Sequence, residues 1–154
     1  MRALLQRVTR ASVSVGGETV GAIEKGLLIL LGVAPGDDET TADKLARKAV
    51  ALRVFEDEAG KMNRALADVG GRALIVSQLT LYADCRKGNR PSFTGACEPV
   101  RAKELYECFC NAVAALGIPV ERGVFGADMA VELLNDGPVT ILLDSRELSG
   151  EGSV

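Results

Sequence analysis

The chain has 154 residues, of which 47% are apolar and 25% are charged, as is usual for one globular domain. Its net charge of −3 argues against broad, non-specific binding of nucleic acid, but it allows recognition of a single RNA end in a pocket. The chain contains no histidine, which excludes Ser–His and Cys–His catalysis and removes the commonest metal ligand. A hydrolase of this composition must use carboxylates, backbone dipoles or help from its substrate.

The N-terminal segment and the cysteines bear on location. The first 15 residues alternate in polarity and lack the apolar block of a signal peptide, and no apolar run is long enough to cross a membrane. The four cysteines form no Cys-x-x-Cys pair, so we expect free thiols. We therefore predict a cytoplasmic protein that needs no cofactor or metal and has neither membrane nor DNA as a partner.

The first half of the chain predicts three strands and a helix. Residues 3–15 alternate, Gly16-Gly17 breaks the pattern, a second strand follows, and Leu27–Val33 is apolar enough for a buried strand. A helix is predicted from about Glu39 to Arg53, because its apolar residues recur on one face and acidic residues precede it.

The second half predicts one buried strand, a helix and three short strands. Residues 55–63 predict a turn-containing excursion, residues 73–81 a buried strand with a polar end, and residues 84–95 a loop. A helix then spans about Pro99 to Leu116. Short strands are predicted at residues 120–122, 130–134 and 139–143.

The order β-β-β-α-β-α-β-β indicates an α/β fold with a mixed, barrel-like sheet and two main helices packed on it. We expect a single domain over residues 1–145 and a flexible tail over residues 146–154.

The segment Ser77-Gln78-Leu79-Thr80 follows four apolar residues and lies at the predicted end of a buried strand. Ligand sites in α/β sheets favour such strand ends. Hydroxyl, amide and backbone N–H groups suit an oxyanion or an ester carbonyl. From the pattern alone, a strand that ends in polar residues remains the simpler explanation.

The segment Asn135–Thr140, NDGPVT, separates two predicted strands. Glycine and proline favour a tight turn, and a cis bond occurs at only about 5–6% of X-Pro positions. The residues alone therefore leave a hairpin turn as the default.

Two further groups are weaker candidates. Arg86, Lys87 and Arg90 could meet phosphates, although a solvated loop explains them equally well. Phe125 and Met129 could face an aromatic ligand, although such residues more often lie in the core.

Seven segments occur together and in order over residues 1–144: LLQRVTRASVSV, GLLILLGV, AGKMN, SQLTL, NRPSF, GVFGADM and NDGPVT. In this combination the chain resembles the D-aminoacyl-tRNA deacylase family, homodimeric editing enzymes that remove D-amino acids from tRNA. The most specific signal is Ser-Gln-x-Thr followed at this separation by Asn-x-Gly-Pro-Val-Thr. The family commonly has Phe at the position of Leu79, which bears on the packing of the pocket.

The resemblance implies a substrate and a set of roles. The chain would cleave the ester at the 3′ end of D-aminoacyl-tRNA, and of glycyl-tRNA mischarged on tRNA(Ala), while rejecting L-aminoacyl-tRNA. A cis Gly137-Pro138 motif would reach into the active site of the other subunit, with its carbonyls aimed at the substrate α-amino group. Arg7 would hold that motif.

The remaining candidate residues would line the pocket. Ser77, Gln78 and Thr80 would surround the ester as the candidate catalytic group. The substrate-binding group would comprise Gly137, Pro138, Leu79, Ala102, Phe125, Met129 and Arg7.

Three hypotheses for the chemistry remain open at this stage. In the first, the terminal 2′-hydroxyl of the RNA takes part and the protein positions and polarises the ester. In the second, Thr80 is a covalent nucleophile, although no histidine is present to activate it. In the third, the chain is a non-catalytic dimeric module that binds the acceptor end of tRNA or another small partner.

Overall fold

The first three strands form the centre of the sheet. The computed structural model describes residues 1–148, in which β1 (Arg2–Val15), β2 (Glu18–Ile23) and β3 (Gly26–Gly32) follow one another through tight turns. Most of β1 alternates between buried and partly exposed side chains, whereas β3 is buried almost throughout. β1 pairs with β3 along its first half and with β2 along its second half, antiparallel in both cases.

Two parallel strands extend the sheet from β3. β6 (Arg72–Ser77) lies parallel to β3, and β7 (Val120–Arg122) lies parallel to β6. The sheet curls until β2 meets β7, where a Cβ on Gly21 would lie 2.7 Å from the carbonyl oxygen of Arg122. Only glycine allows this approach. The predicted mixed, barrel-like sheet is therefore confirmed.

Two long helices in the described part of the chain pack on the sheet. α1 (Glu39–Ala51) begins at Asp38, whose carboxylate accepts a 2.8 Å hydrogen bond from the Thr41 N–H. α2 (Pro99–Ala115) begins with proline after Glu98, whose carboxylate caps two N–H groups. Both helices end one or two residues before the predicted positions. Their buried faces cover the core with Ala42, Leu45, Ala46, Ala49, Ala102, Leu105, Phe109 and Val113.

The predicted excursion at residues 55–63 contains a small hairpin. β4 (Phe55–Glu56) and β5 (Met62–Arg64) pair antiparallel, and the carboxylate of Asp57 accepts hydrogen bonds from the N–H groups of Ala59 and Lys61 across the turn. This hairpin lies outside the main sheet.

The hairpin turn predicted at NDGPVT is wrong. Residues Ala130–Asp144 form one strand, β8, which runs antiparallel to β1 from Ser14↔Ala130 to Arg2↔Asp144. The chain does not reverse. Between the pairs Val8↔Asn135 and Gln6↔Thr140, two steps along β1 correspond to five along β8, so residues 136–139 bulge out of the strand. A bulge uses the same glycine and proline signals as a turn, and pairing with β1 on both sides decided between them.

The chain after β8 begins with a helical turn, α3 (Ser145–Leu148). The Met1 amino group donates to the Ser145 hydroxyl and pairs with Asp37, so this segment packs against the N-terminus. The predicted flexible tail began at residue 146 and thus overlaps this turn, while residues 149–154 lie outside the described part. No helix within residues 1–148 has the length and apolar character needed to cross a membrane.

Candidate active site

A cavity of about 390 Å³ opens where β3 and β6 end, at the carboxyl edge of the parallel part of the sheet. Leu31 and Ser77 are paired at this edge, and both line the cavity. α/β sheets place ligands at such edges. Seven of the ten predicted site residues line this cavity: Ser77, Gln78, Leu79, Thr80, Ala102, Phe125 and Met129.

The segment Ser77–Thr80 turns away from the sheet as soon as β6 ends. The Gln78 N–H donates to the Leu31 carbonyl at 2.8 Å, and a 3₁₀ turn over Leu79–Tyr82 follows. The Gln78 side-chain amide donates to the Thr80 hydroxyl oxygen. The first N–H groups of such a turn have no acceptor within the turn. Those of Leu79 and Thr80 find no other backbone acceptor in residues 1–148, so they can serve a ligand.

An aromatic pair forms part of the cavity wall. The Phe125 and Tyr106 rings lie 5.9 Å apart in a tilted arrangement. The Tyr106 hydroxyl donates to the Ile75 carbonyl at 2.6 Å, and burial raises the pKa of this phenol above its usual value. Tyr106 therefore remains a neutral, hydrogen-bonded wall residue and does not exchange protons near neutral pH.

No residue lining this cavity, among residues 1–148, is Asp, Glu, Lys or Arg. Its polar groups are hydroxyls, one amide and the Cys97 thiol, whose pKa is raised by burial and by the neighbouring Glu98. No side chain here is therefore suited to take a proton from Thr80. Residues 1–148 contain no cluster of three or more Cys, Asp or Glu side chains that could hold a metal ion. The absence of a metal requirement stays a prediction.

The remaining three predicted site residues, Arg7, Gly137 and Pro138, lie elsewhere. The Gly137-Pro138 peptide bond is cis, and both residues are exposed on the β8 bulge. Gly137 has φ +122°, and a Cβ there would lie 2.9 Å from Val139 Cγ2 and 3.0 Å from Arg7 Nη2. Both the backbone conformation and the space therefore require glycine.

Arg7 ties the bulge to the body of the protein. Its side chain is buried and donates to the Asp136 carbonyl at 3.2 Å and to the Val54 carbonyl at 2.7 Å, and it pairs with the Asp136 carboxylate at 3.3 Å. Asn135 supports the other side, accepting from the Val139 N–H at 3.3 Å and donating to the Thr140 hydroxyl at 2.9 Å. The bulge is fixed by these contacts on both flanks.

The cavity and the bulge are separate within one chain. Arg7 pairs with Leu27 on β3, while the cavity begins at Leu31, roughly 13 Å further along the strand at 3.3 Å per residue. The ten predicted residues thus form two groups.

Sequence reasoning missed several residues of both groups. Tyr106 lies four residues after Ala102, on the same face of α2, and this spacing was a usable signal. Cys97 gave no such signal, because its place in the cavity depends on its N–H bonding to the Val33 carbonyl. Asn135 and Thr140 brace the bulge, a role that requires knowing that the strand continues.

Comparison with known proteins identifies the family. A family model described as D-Tyr-tRNA(Tyr) deacylase matches residues 4–144. The chain belongs to this family. The D-aminoacyl-tRNA deacylase of Thermomicrobium roseum is 62% identical over 150 residues, which cover 97% of each chain. The resemblance predicted from the sequence, and with it the class of hydrolase, is confirmed.

Two solved structures agree with the fold of this deacylase family member. The c-Myc DNA unwinding element binding protein is 43% identical, with a TM-score of 0.88 over 94% of this chain and 98% of that one. A probable eukaryotic D-amino acid tRNA deacylase superposes with a TM-score of 0.79 over 92% of this chain and 97% of that one. At 17% identity the second supports the fold alone.

Proposed function

We propose that this chain hydrolyses the ester between a D-amino acid and the 3′-terminal adenosine of tRNA, releasing free D-amino acid and tRNA. The observation that carries the proposal is the uncharged cavity at the ends of β3 and β6, with Ser77–Thr80 at its edge. A volume of about 390 Å³ lies within the roughly 300–1,000 Å³ range of small-molecule sites. The 62% identical relative carries the name of this activity.

The apolar part of the cavity suits the terminal adenosine. Proteins bind unstacked bases by placing them against aromatic and apolar side chains. Phe125, Met129 and Ala102 provide such a surface, and the Tyr106 ring packs against Phe125. The ester would then lie at the polar edge formed by Ser77, Gln78 and Thr80.

We propose that the RNA supplies the missing proton-transfer group. A water adds to the ester carbonyl carbon, the bond to the ribose 3′-oxygen breaks, and the proton lost by water passes to that oxygen through the neighbouring 2′-hydroxyl. The protein holds the ester in place and stabilises the oxyanion through the Leu79 and Thr80 N–H groups. The uncharged lining of the cavity supports this route over nucleophilic attack by Thr80, which would need a base.

We further propose a homodimer in which the Gly137-Pro138 bulge of one subunit closes the cavity of the other. Three observations support it: the bulge is exposed, it is separate from the cavity of its own chain, and β8 pairs with no strand except β1 in residues 1–148. The exposed Leu134 and Leu142 on β8 provide apolar surface for such contact.

A fixed backbone wall would select chirality by exclusion. The Gly137 and Pro138 carbonyls would bind the α-amino group, and an L side chain would collide with the wall, whereas D side chains and glycine would not. The proposal therefore includes glycyl-tRNA mischarged on tRNA(Ala) as a substrate. We place this reaction in the cytoplasm.

The test compares D-tyrosyl-tRNA with L-tyrosyl-tRNA, using wild type and Thr80→Ala, with EDTA present. We expect both proteins to remove only the D-amino acid. If only Thr80→Ala fails to cleave the D ester, Thr80 is the nucleophile. If wild type loses its activity in EDTA, the reaction requires a metal. If wild type turns over neither ester under excess substrate, the chain is a binding module.

A further inference from the structure

The loop over residues 84–94 lies between two segments that line the cavity, and it carries positive charge that the proposed reaction does not use. Its neck is closed by two hydrogen bonds, from the Asp84 N–H to the Ser92 carbonyl at 2.7 Å and from the Ser92 N–H to the Asp84 carbonyl at 2.9 Å. Residues 85–91 between these positions are all exposed. We call residues 84–94 the basic loop.

The basic loop is tied to the cavity at both ends. The chain leaves the cavity edge at Thr80, four residues before Asp84 of the neck. It returns to the cavity at Ala96, four residues after Ser92 of the neck. Four residues span at most about 14 Å, so the neck lies within that distance of the cavity. The Cys97 N–H bonds to the Val33 carbonyl and fixes the returning end.

Two cations in the basic loop are left without an acidic partner. Arg86 makes a two-point contact with Asp84, at 2.9 Å and 2.8 Å, and this hydrogen bonding lowers the pKa of Asp84. Lys87 and Arg90 form no ion pair within residues 1–148, and both are exposed. The loop therefore carries two uncompensated positive charges on a chain whose net charge is −3.

The position of these charges suits a partner that carries phosphate groups. A cavity that takes the terminal nucleoside requires the preceding phosphates to pass over its rim. Lysine and arginine bind phosphates without reading the base sequence. Phe93, 41% exposed, adds an aromatic face on which an unpaired base can stack.

We propose that the basic loop binds the phosphates of the single-stranded RNA segment next to the terminal adenosine, with Lys87 and Arg90 as the contacting cations. The inference rests on the proposed function, because it takes the cavity as the adenosine site. The two residues are positioning residues for the RNA end and do not take part in ester cleavage.

The experiment compares two double variants with the same change in charge. Lys87→Gln/Arg90→Gln removes the loop cations, and Lys25→Gln/Arg72→Gln removes an exposed pair at the opposite end of β6, roughly 17 Å from Ser77. Each is assayed on D-tyrosyl-adenosine, which has no phosphate, on D-tyrosyl-CCA trinucleotide, and on D-tyrosyl-tRNA. Binding of uncharged CCA trinucleotide is measured in parallel by fluorescence anisotropy.

We expect the loop variant to raise KM for the trinucleotide and for tRNA by about tenfold at low salt, with kcat retained. Its slope of log affinity against log salt should fall by about 1.4, since each single-strand phosphate contact contributes about 0.7. The control variant should match wild type. For D-tyrosyl-adenosine the two double variants should behave alike.

Three results would overturn the inference. The loop variant could match the control on the trinucleotide, it could lose activity only on whole tRNA, or it could lose D-tyrosyl-adenosine hydrolysis to the same extent. If wild type cleaves no ester, the proposed function fails. The anisotropy titration then still decides whether the loop cations bind RNA phosphates.

Discussion

The cavity at the end of β6 and the bulge on β8 are built in opposite ways. The cavity edge is open: Leu79 is 56% exposed, and no charged side chain of residues 1–148 lines the space. The bulge is held by the buried Arg7, through two carbonyls and a carboxylate, and by Asn135. In the proposed mechanism, the cavity accepts many side chains and gains from open space, whereas the bulge acts as a wall that rejects one configuration and must not yield.

The largest expected effect comes from breaking the wall. Gly137→Ala adds a methyl group 2.9 Å from Val139 Cγ2 at a φ of +122°, so the bulge must move. We expect kcat/KM for D-tyrosyl-tRNA to fall about 100-fold, which corresponds to roughly 2.7 kcal/mol of strain and misplacement. Single-turnover deacylation measures this.

The matched control for the wall is Gly16→Ala. Gly16 also has a positive φ, +58°, but a Cβ there meets nothing within 4 Å. This variant should lose about 1 kcal/mol of stability and keep its activity. Wild-type kinetics for Gly137→Ala would show that the bulge does not touch substrate.

The second effect concerns the support of the wall. Arg7→Lys cannot serve both the Val54 and Asp136 carbonyls, because a single ammonium lacks the fork of the guanidinium. We expect the free energy of unfolding in urea to fall by about 2–2.5 kcal/mol. Arg10→Lys, on the same strand but paired with Glu132 on the surface, should change it by less than about 0.5 kcal/mol. Equal losses in the two variants would refute a special role for Arg7.

The third effect tests the far end of β8. Burial of Asp144 favours its neutral form, but hydrogen bonds from Arg146 and Arg2 outweigh burial and lower its pKa to about 2. Because the folded-state pKa lies below the usual value, this stabilisation is present above about pH 4 and is lost as the pH falls towards 2.

Asp144→Asn provides the measurement. Wild type should exceed the variant by about 2 kcal/mol in the free energy of unfolding at pH 6, and the difference should shrink between pH 4 and pH 2. A difference that does not change over this range would mean that the carboxylate charge does not stabilise the strand.

The smallest expected effect concerns the open edge of the cavity. Leu79→Phe places an aromatic ring at an exposed position on the cavity edge, where the family resemblance predicts phenylalanine. We expect stability to change by less than about 0.5 kcal/mol and KM for D-tyrosyl-tRNA to fall roughly threefold, since an aromatic ring adds contact surface. Val20→Phe, at another exposed position, should leave KM unchanged. An increase in KM for Leu79→Phe would show that this chain's cavity is shaped around leucine.

Much of the fold and of the cavity could be predicted because the signals are local. Alternation in β1 and the apolar stretches of β3 and β6 identified these strands, and Asp38 and Pro99 marked the helix starts. Ser77–Thr80 could be placed at a strand end for the same reason. Tyr106 was missed although its helical spacing pointed to the same face as Ala102.

The continuous course of β8 could not be predicted from its own residues. Asn-Asp-Gly-Pro satisfies a turn and a bulge equally well, since both need positive φ at glycine and tolerate a missing N–H at proline. The choice was made by β1, a strand of 14 residues that pairs with β8 on both sides of residues 136–139.

By itself, the sequence determined most of the strands and the two long helices, because apolar residues repeat with the period of each element. It also determined the family, and it showed that no histidine is available for catalysis. Only the tertiary structure decided that NDGPVT projects from a strand, that Arg7 holds it, and that cavity and bulge lie apart. Those outcomes depend on pairing between residues more than 120 positions apart, and such contacts leave no local pattern in the sequence.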